Sequence, residues 1–347
     1  MPYLSNEYAA EVQAAYEVDL WGRLQSLTQA ANAQVASARA SHDAVELGIT
    51  AAVVSGYIRL IALDALIELS RRTLVSRERS LALTQSRQAR GYATGLESAQ
   101  AESEYRVTAQ AVPQFELAAE QQQQALNVLL GRVPGPVERT DTFSSIVVPE
   151  LPSAGLPSEL VRRRPDVAAS ELQLVSADEQ LRAARGQLLP AVRLSAAIGR
   201  AGASVLPDGP FTIWSVGGSV LAPIFNGGRL RAQVHADDAR REQALIAYQR
   251  AVLIAFAEVE TQLSAYEKLN AQATQVEAQR RALESALRMA DNRYKEGYSS
   301  YLDELLAQRS LFSAEQSAIQ LKADLLVAQV NLYRALGGGW DRTRDER

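Results

Sequence analysis

Three glycine landmarks recur along this chain at one constant spacing. Gly22-Arg23-Leu24 returns as Gly228-Arg229-Leu230, Gly91-Tyr92 as Gly297-Tyr298, and Leu126, Leu130 and Gly131 as Leu332, Leu336 and Gly337, each pair 206 positions apart. Leu63 with Leu269, Leu81 with Leu287, Arg87 with Arg293 and Leu96 with Leu302 keep the same offset. An accidental offset would not align three separate glycines, so residues 22–131 and 228–337 read as two copies of one unit without net insertion. Whatever the unit folds into, the chain must build it twice.

Within each unit the apolar residues follow helical spacing. Val45, Ile49, Ala52, Gly56, Leu60, Leu63 and Ile67 form one stripe, Val54, Ile58, Ile61 and Ala65 a second, and Leu245, Val252, Phe256, Val259 and Leu263 repeat the pattern in the second copy. Two stripes suit a helix that touches two neighbours, as in a ring of helices; an ordinary bundle core is the alternative. From Gly22 to Ala89 no proline interrupts, so a single helix of roughly 100 Å can form there. Glycine beside small polar residues then breaks it at Arg90–Gly95 and again at Glu296–Ser300, where Thr94 or Ser300 can cap the next helix. Each unit is therefore expected to be a long helical hairpin with its tip at Gly91 or Gly297. The first return helix, 96–130, should kink at Pro113. A further helix is expected from Ser158, with Glu159 in its first turn, to Leu188.

Strands are expected between that helix and the second unit. Val192, Leu194, Ala196 and Ile198 alternate with Arg193, Ser195 and Ala197, and FTIWSVGGSVLAPI again mixes apolar residues with Ser, Thr and Gly. One apolar face over about ten residues is the pattern of a membrane-barrel strand, with Trp214 suited to an aromatic belt; a soluble β-hairpin has the same alternation. The uncharged run 209–228 has the length of a membrane helix but contains Pro210, Pro223 and Gly217-Gly218, which excludes that reading. Residues 8–20 stand before the first long helix as 214–226 stand before the second. By symmetry a helix and a strand are expected ahead of Met1, together with an export signal that MPYLSNEYAAEV does not supply.

Composition removes several function classes. Thirty-six Lys and Arg against 40 Asp and Glu give a net charge of -4, so no basic surplus points to nucleic acid. Cysteine is absent and only His42 and His235 are present, which excludes disulfides, thiolate zinc sites and histidine-rich metal sites. His42 and His235 do not share the repeat offset and receive no role. No phosphate loop, GxGxxG, HExxH or serine elbow occurs, so an enzyme is not expected, and no cofactor is. Arg162, Arg163, Arg164, Pro165 and Asp166 suit helix-flanking charge pairing better than an anion site.

YEVDLWGRL (16–24), LPSELVRRRPDVAASE (156–171), APIFNGGRLRA, RYKEGYSSYLDELLAQRSLF and VNLYRALGGGW, in this order over nearly the whole chain, resemble the TolC-like outer-membrane efflux proteins, closest to their lipid-anchored NodT type. The resemblance implies a mainly α fold with membrane β-strands: long α-helical hairpins forming a trimeric α-barrel joined to an outer-membrane β-barrel, built from two internal repeats. It implies a homotrimer in outer-membrane lipid with a periplasmic extension, acting as the passive exit duct of a tripartite efflux pump. Its partners would be a periplasmic adaptor and an inner-membrane transporter. The family's lipid-bearing cysteine would fall in the segment expected before Met1. Adaptor contact is expected at the tips, through Gly91, Tyr92, Thr94 and Gly95 and through Gly297, Tyr298, Ser299 and Ser300. The pore constriction is expected at Leu302, Asp303, Glu304 and Leu306. Three copies of Asp303 and Glu304 would favour cations there, although an acidic first turn that answers the helix dipole gives the same sequence. Relatives often carry a second acid where this chain has Leu306, which makes the expected gate partly hydrophobic.

The expected organisation is a barrel strand over 1–21, the first hairpin over 22–131, an equatorial linker over 132–157 and a helix over 158–189. A strand pair over 190–227, the second hairpin over 228–337 and a tail over 338–347 complete it. The competing function is a soluble or periplasmic coiled-coil scaffold or adaptor without a pore. It explains the hairpins but not the strands that precede them.

Overall fold

The structure, a computed structural model, describes residues 7–139, 142–148, 163–203 and 210–338. In chain order it contains β1 (Glu7–Val18), α1 (Arg23–Ala89), α2 (Gly95–Leu129), α3 (Pro165–Gly186), β2 (Ala191–Ala203), β3 (Phe211–Leu221), α4 (Arg229–Lys295) and α5 (Tyr301–Ala335). Both long helices have 67 residues and both return helices 35, so the two copies match element for element.

The repeated glycines have one physical reason. Gly22, Gly91, Gly131, Gly228, Gly297 and Gly337 all have φ between 64° and 90°, the left-handed region that side chains with a Cβ avoid. At the tips the Gly91 N–H bonds the Gln88 carbonyl at 2.9 Å and the Tyr92 N–H the Arg87 carbonyl at 2.8 Å. Gly297 and Tyr298 repeat both bonds, to Tyr294 at 3.1 Å and to Arg293 at 2.8 Å. Each long helix thus closes its last carbonyls with a left-handed glycine cap.

Residues Met1–His42 and Pro165–Leu253 form one compact unit. Its antiparallel sheet has the order β1-β2-β3, with Val18 opposite Val192, Glu7 opposite Ala203, and Ala191 opposite Leu221. The start of α1 is held by Asp19, whose carboxylate accepts from the N–H groups of Leu24 at 3.1 Å and Gln25 at 2.8 Å. Those backbone bonds hold the Asp19 carboxyl below its usual range. In α1, Ala30, Ala33, Ser37 and Ala40 are buried, and the Ser37 hydroxyl donates to the Ala169 carbonyl of α3 at 2.9 Å. Small side chains let these two helices approach closely.

Residues Asp43–Arg164 and Ile254–Arg347 form the second unit, and here the two stripes of α1 separate. Leu60, with Val53, Leu63 and Ile67 beside it, packs on Ala119 and Leu126 of α2. Ile58, Ile61 and Ala62 pack on Ala323, Leu326 and Val327 of α5 and on Phe143. One helix therefore feeds two cores, as two stripes require. The pattern overreaches at its start: Val45 and Ile49 belong to the first stripe by spacing but are exposed.

Other expectations are corrected. The described part of the middle helix begins at Pro165, with Asp166 in its first turn, and ends at Gly186 rather than Leu188. Ser158 and Glu159 lie outside the described residues, as do Arg162, residues 140–141 and 149–157 of the linker, and residues 339–347 of the tail. Pro113 lies inside α2, with helix on both sides of it, so the proline does not end the helix. Thr94 caps α2, but Ser300 stands at the start of α5 without making a side-chain cap bond.

Candidate functional site

The sheet register sorts side chains by polarity. Across β1-β2-β3, Val12, Ile198 and Trp214 stand in one row, Tyr16 and Leu194 in another, and Val18, Val192 and Val220 in a third, all on one face. On the opposite face stand the rows Glu17, Arg193, Ser219 and Gln13, Ala197, Ser215, joined by Phe211, Ile213 and Leu221 of β3, while Arg200 and Thr212 form one polar row on the first face. The apolar face is not covered: Val12 is 74% exposed, Trp214 74% and Val216 76%. Among the described residues nothing pairs with the outer edges of β1 and β3. A sheet with an exposed, largely apolar face and two open edges is a segment of barrel wall: in a bilayer, edges must close on further strands.

At the tips, Tyr92 and Tyr298 project outward, 82% and 77% exposed, beside the left-handed Gly91 and Gly297. Thr94, Gly95 and Ser300 are also exposed, while Ser299 is half-buried and its hydroxyl has no hydrogen-bond partner. The first turn of α5 splits the expected constriction residues between two faces. Leu302, Asp303 and Leu306 are exposed, whereas Tyr301, Glu304 and Leu305 are buried. Glu304 therefore does not share the exposed face of Asp303. The reason is the 100° step between successive helical residues, which turns position 304 toward α1 once Tyr301 and Leu305 are seated in the core.

What holds that turn includes residues the sequence did not single out. Tyr301 stacks on Tyr294 with ring centroids 5.5 Å apart, and Arg87 lies 4.7 Å above the Tyr294 ring. Burial pushes the Tyr301 hydroxyl up to about 12. Farther from the tip, Arg77 of α1 and Glu104 of α2 are both buried, and Arg309 Nε of α5 donates to Glu104 Oε1 at 2.6 Å. One signal was available for Arg77: Ser70, Arg77 and Thr84 are seven apart and all three are buried, so the arginine lies on a core line of α1. Glu104 and Gln308 have no comparable mark in the sequence.

The arginine cluster before α3 has a structural role. Arg164 is buried, its Nη1 donates to the last helical carbonyl of α5, Ala335, at 3.0 Å, and its Nη2 donates to Glu258 of α4 at 2.8 Å. A guanidinium that closes a helix C-terminus and pairs with a carboxylate is a clamp, not a free anion site.

Comparison with known proteins agrees with a barrel wall joined to duplicated hairpins. The sequence profile described as "Outer membrane efflux protein" matches residues 4–132 and 156–338. The pyoverdine export outer membrane protein OpmQ of Pseudomonas aeruginosa is 37% identical over 98% of this chain and 72% of its own length. Outer membrane protein OprJ of the same organism is 36% identical over 95% of this chain and 69% of its own length. The solved outer-membrane channel OprN superposes with a TM-score of 0.87 at 28% identity, covering 97% of this chain and 82% of OprN. Duplicated hairpins with left-handed glycine caps, a sheet with one apolar exposed face, and a profile match along both repeats have one common explanation: the chain belongs to the outer membrane efflux protein family and is the outer-membrane channel component of an efflux system.

Proposed function

We propose that the protein works as a homotrimer, its sheets closing into one outer-membrane barrel and its hairpins into a passive duct for small molecules. The tips dock on a periplasmic adaptor, and an inner-membrane transporter supplies the energy. The carrying observation is the exposed apolar face and the two open edges of β1-β2-β3. Further copies of the same sheet satisfy both edges, and lipid satisfies the face.

Two surfaces follow from this reading. Leu302, Asp303 and Leu306 form the constriction, where two leucines narrow the path and one carboxylate per chain draws cations. Gly91, Tyr92, Thr94 and Gly95, with Gly297, Tyr298, Ser299 and Ser300, receive the adaptor, because glycine permits close backbone approach and an exposed tyrosine supplies a large contact.

The reading is tested by reversal potentials across a planar bilayer in a salt gradient. Asp303→Asn should move the potential toward zero; an unchanged potential takes Asp303 out of the permeation path. In cells, Gly297→Arg or Ser300→Arg should abolish efflux at an unchanged protein level, and retained efflux would remove the tips from the adaptor contact. A detergent-solubilised mass other than that of three chains would remove the trimer.

A further inference from the structure

One guanidinium breaks the pattern of the exposed sheet face. Beyond the row Val12, Ile198, Trp214 the next row on this face is Ala10, Arg200, Thr212. Among the described residues Arg200 is the only charged side chain that the register puts here; Glu7, Glu11, Glu17 and Arg193, the other charges of the three strands, alternate onto the opposite face. Arg193 reaches Glu17 at 3.5 Å, whereas Arg200 is exposed and, among the described residues, has no carboxylate within salt-bridge distance. Thr212 beside it is exposed as well. One row farther out the Tyr8 ring lies over Gly202, where an added Cβ would meet it at 2.7 Å, so a phenol flanks the guanidinium at the rim.

Depth decides what Arg200 meets. It stands eight residues beyond Val192 on β2. At about 3.4 Å per residue that is about 27 Å along the strand, and a barrel tilt of about 40° leaves about 20 Å along the membrane normal. Exposed Trp21 and Phe225 mark the end of the sheet that leads into the long helices, and exposed Tyr8 marks the far end, as two aromatic girdles do. Arg200 thus lies at the far edge of an apolar band, where a guanidinium leaves hydrocarbon and meets headgroups.

We propose that Arg200, with the Thr212 hydroxyl beside it, docks the phosphate of a lipopolysaccharide molecule in the outer leaflet. The inference rests on the barrel reading, which gives this face to lipid and turns the end of the sheet away from the helices outward. A guanidinium offers a phosphate two parallel N–H donors, the threonine adds a third, and the acyl chains of the same molecule run down along Ile198, Trp214 and Val216. A glycolipid whose phosphates sit directly above its acyl chains answers both the charge and the apolar face, whereas free phosphate answers only the charge.

Native mass spectrometry of the full chain in detergent tests the site with three probes: lipid A carrying both phosphates, the same glycolipid with its phosphates removed, and inorganic phosphate. The wild type should hold the first about tenfold or more tightly than the second, and should not hold the third. Arg200→Gln should lose this preference, Arg200→Lys should keep part of it, and Arg193→Gln, on the opposite face, should bind as the wild type does. Equal affinity of the wild type for the two glycolipids, a preference that survives Arg200→Gln, the same loss in Arg193→Gln, or inorganic phosphate held as tightly as lipid A overturns the site. The face is checked separately in phosphatidylcholine vesicles with brominated acyl chains, which should quench the Trp214 emission, read as the difference between wild type and Trp214→Phe. Quenching without a phosphate preference overturns the Arg200 site and leaves the barrel wall standing; absence of quenching overturns the wall and the site with it.

Discussion

At the first tip the Thr94 hydroxyl accepts from the Glu97 N–H at 3.3 Å, and Glu97 Oε2 returns to the Thr94 N–H at 3.0 Å. At the second tip Ser300 holds the matching position, caps nothing, and its hydroxyl meets Asp303 Oδ2 at 3.5 Å. Asp303 is the repeat counterpart of Glu97, Tyr301 that of Gly95, and Glu304 that of Ser98. The first hairpin therefore starts its return helix by a local capping box, which satisfies orphan N–H groups without help from elsewhere. The second starts its return helix by burying Tyr301, Glu304 and Leu305 in tertiary contacts, and so releases Asp303 to the exposed face. Two copies of one element have the same glycine caps and differ in what anchors the following turn. A duplicated hairpin can thus keep its shape while one copy leaves its acidic residue exposed and outside a capping box.

The largest separation between the tips is expected on truncation. Tyr301→Ala removes a ring that is 1% exposed and stacked on Tyr294, and should destabilise the fold by about 3–5 kcal/mol in guanidinium unfolding followed by helical circular dichroism. Gly95→Ala, at the matching position, meets only Gln88 Nε2 at 3.5 Å and should be neutral or stabilising by less than about 1 kcal/mol. Equal losses at both positions would erase the distinction. A smaller contrast lies in the caps. Thr94→Ala should cost about 1 kcal/mol, and Ser300→Ala no more than a few tenths, because only the threonine accepts an N–H bond. A loss at Ser300 equal to that at Thr94 would mean that the second tip relies on its cap after all.

The smallest effect concerns the two long helices. In the C-terminal half of its length α4 carries Glu277, which Arg280 and then Arg281 hydrogen-bond and hold down to about 2, partly opposed by desolvation, whereas the counterpart position in α1 is Arg71. A carboxyl lowered in the fold adds stability above its free pKa, near 4.5, and loses it as pH falls toward about 2. The group is well exposed, so solvent screening should keep the change well under about 1 kcal/mol, and added salt should shrink it further. Exchange of the α4 amides near 277 should therefore rise modestly on acidification and that of α1 near 71 should not. Matching acid responses in both helices would assign the effect to global loosening.

Much of the geometry of the candidate site was legible because it depends on the backbone. The repeat offset located both tips, since a left-handed cap accepts few residues besides glycine, and neighbouring Tyr92 and Tyr298 came with it. The strands were legible from alternation, although only the register joins Val12, Ile198 and Trp214 into one apolar row. The first turn of α5 was legible in position but not in the orientation of its side chains. Asp303 and Glu304 are adjacent acids in a first helical turn, and composition treats them alike. The structure separates them because Tyr301 and Leu305, one turn apart, are drawn into the core and carry Glu304 with them.

By itself, then, the sequence determined the duplicated hairpins, the places where each long helix stops, and the alternation that makes a barrel wall, because these follow from φ restrictions and from periodicities of 3.6 and 2 that are local to the chain. Tertiary structure alone decided that Arg77 and Glu104 meet in the core, that Ser300 leaves its helix uncapped, that Arg164 closes the end of α5, and that Glu304 turns inward while Asp303 turns out. Each of these depends on which neighbour occupies a given face of a helix, and that neighbour is contributed by a segment tens to hundreds of residues away.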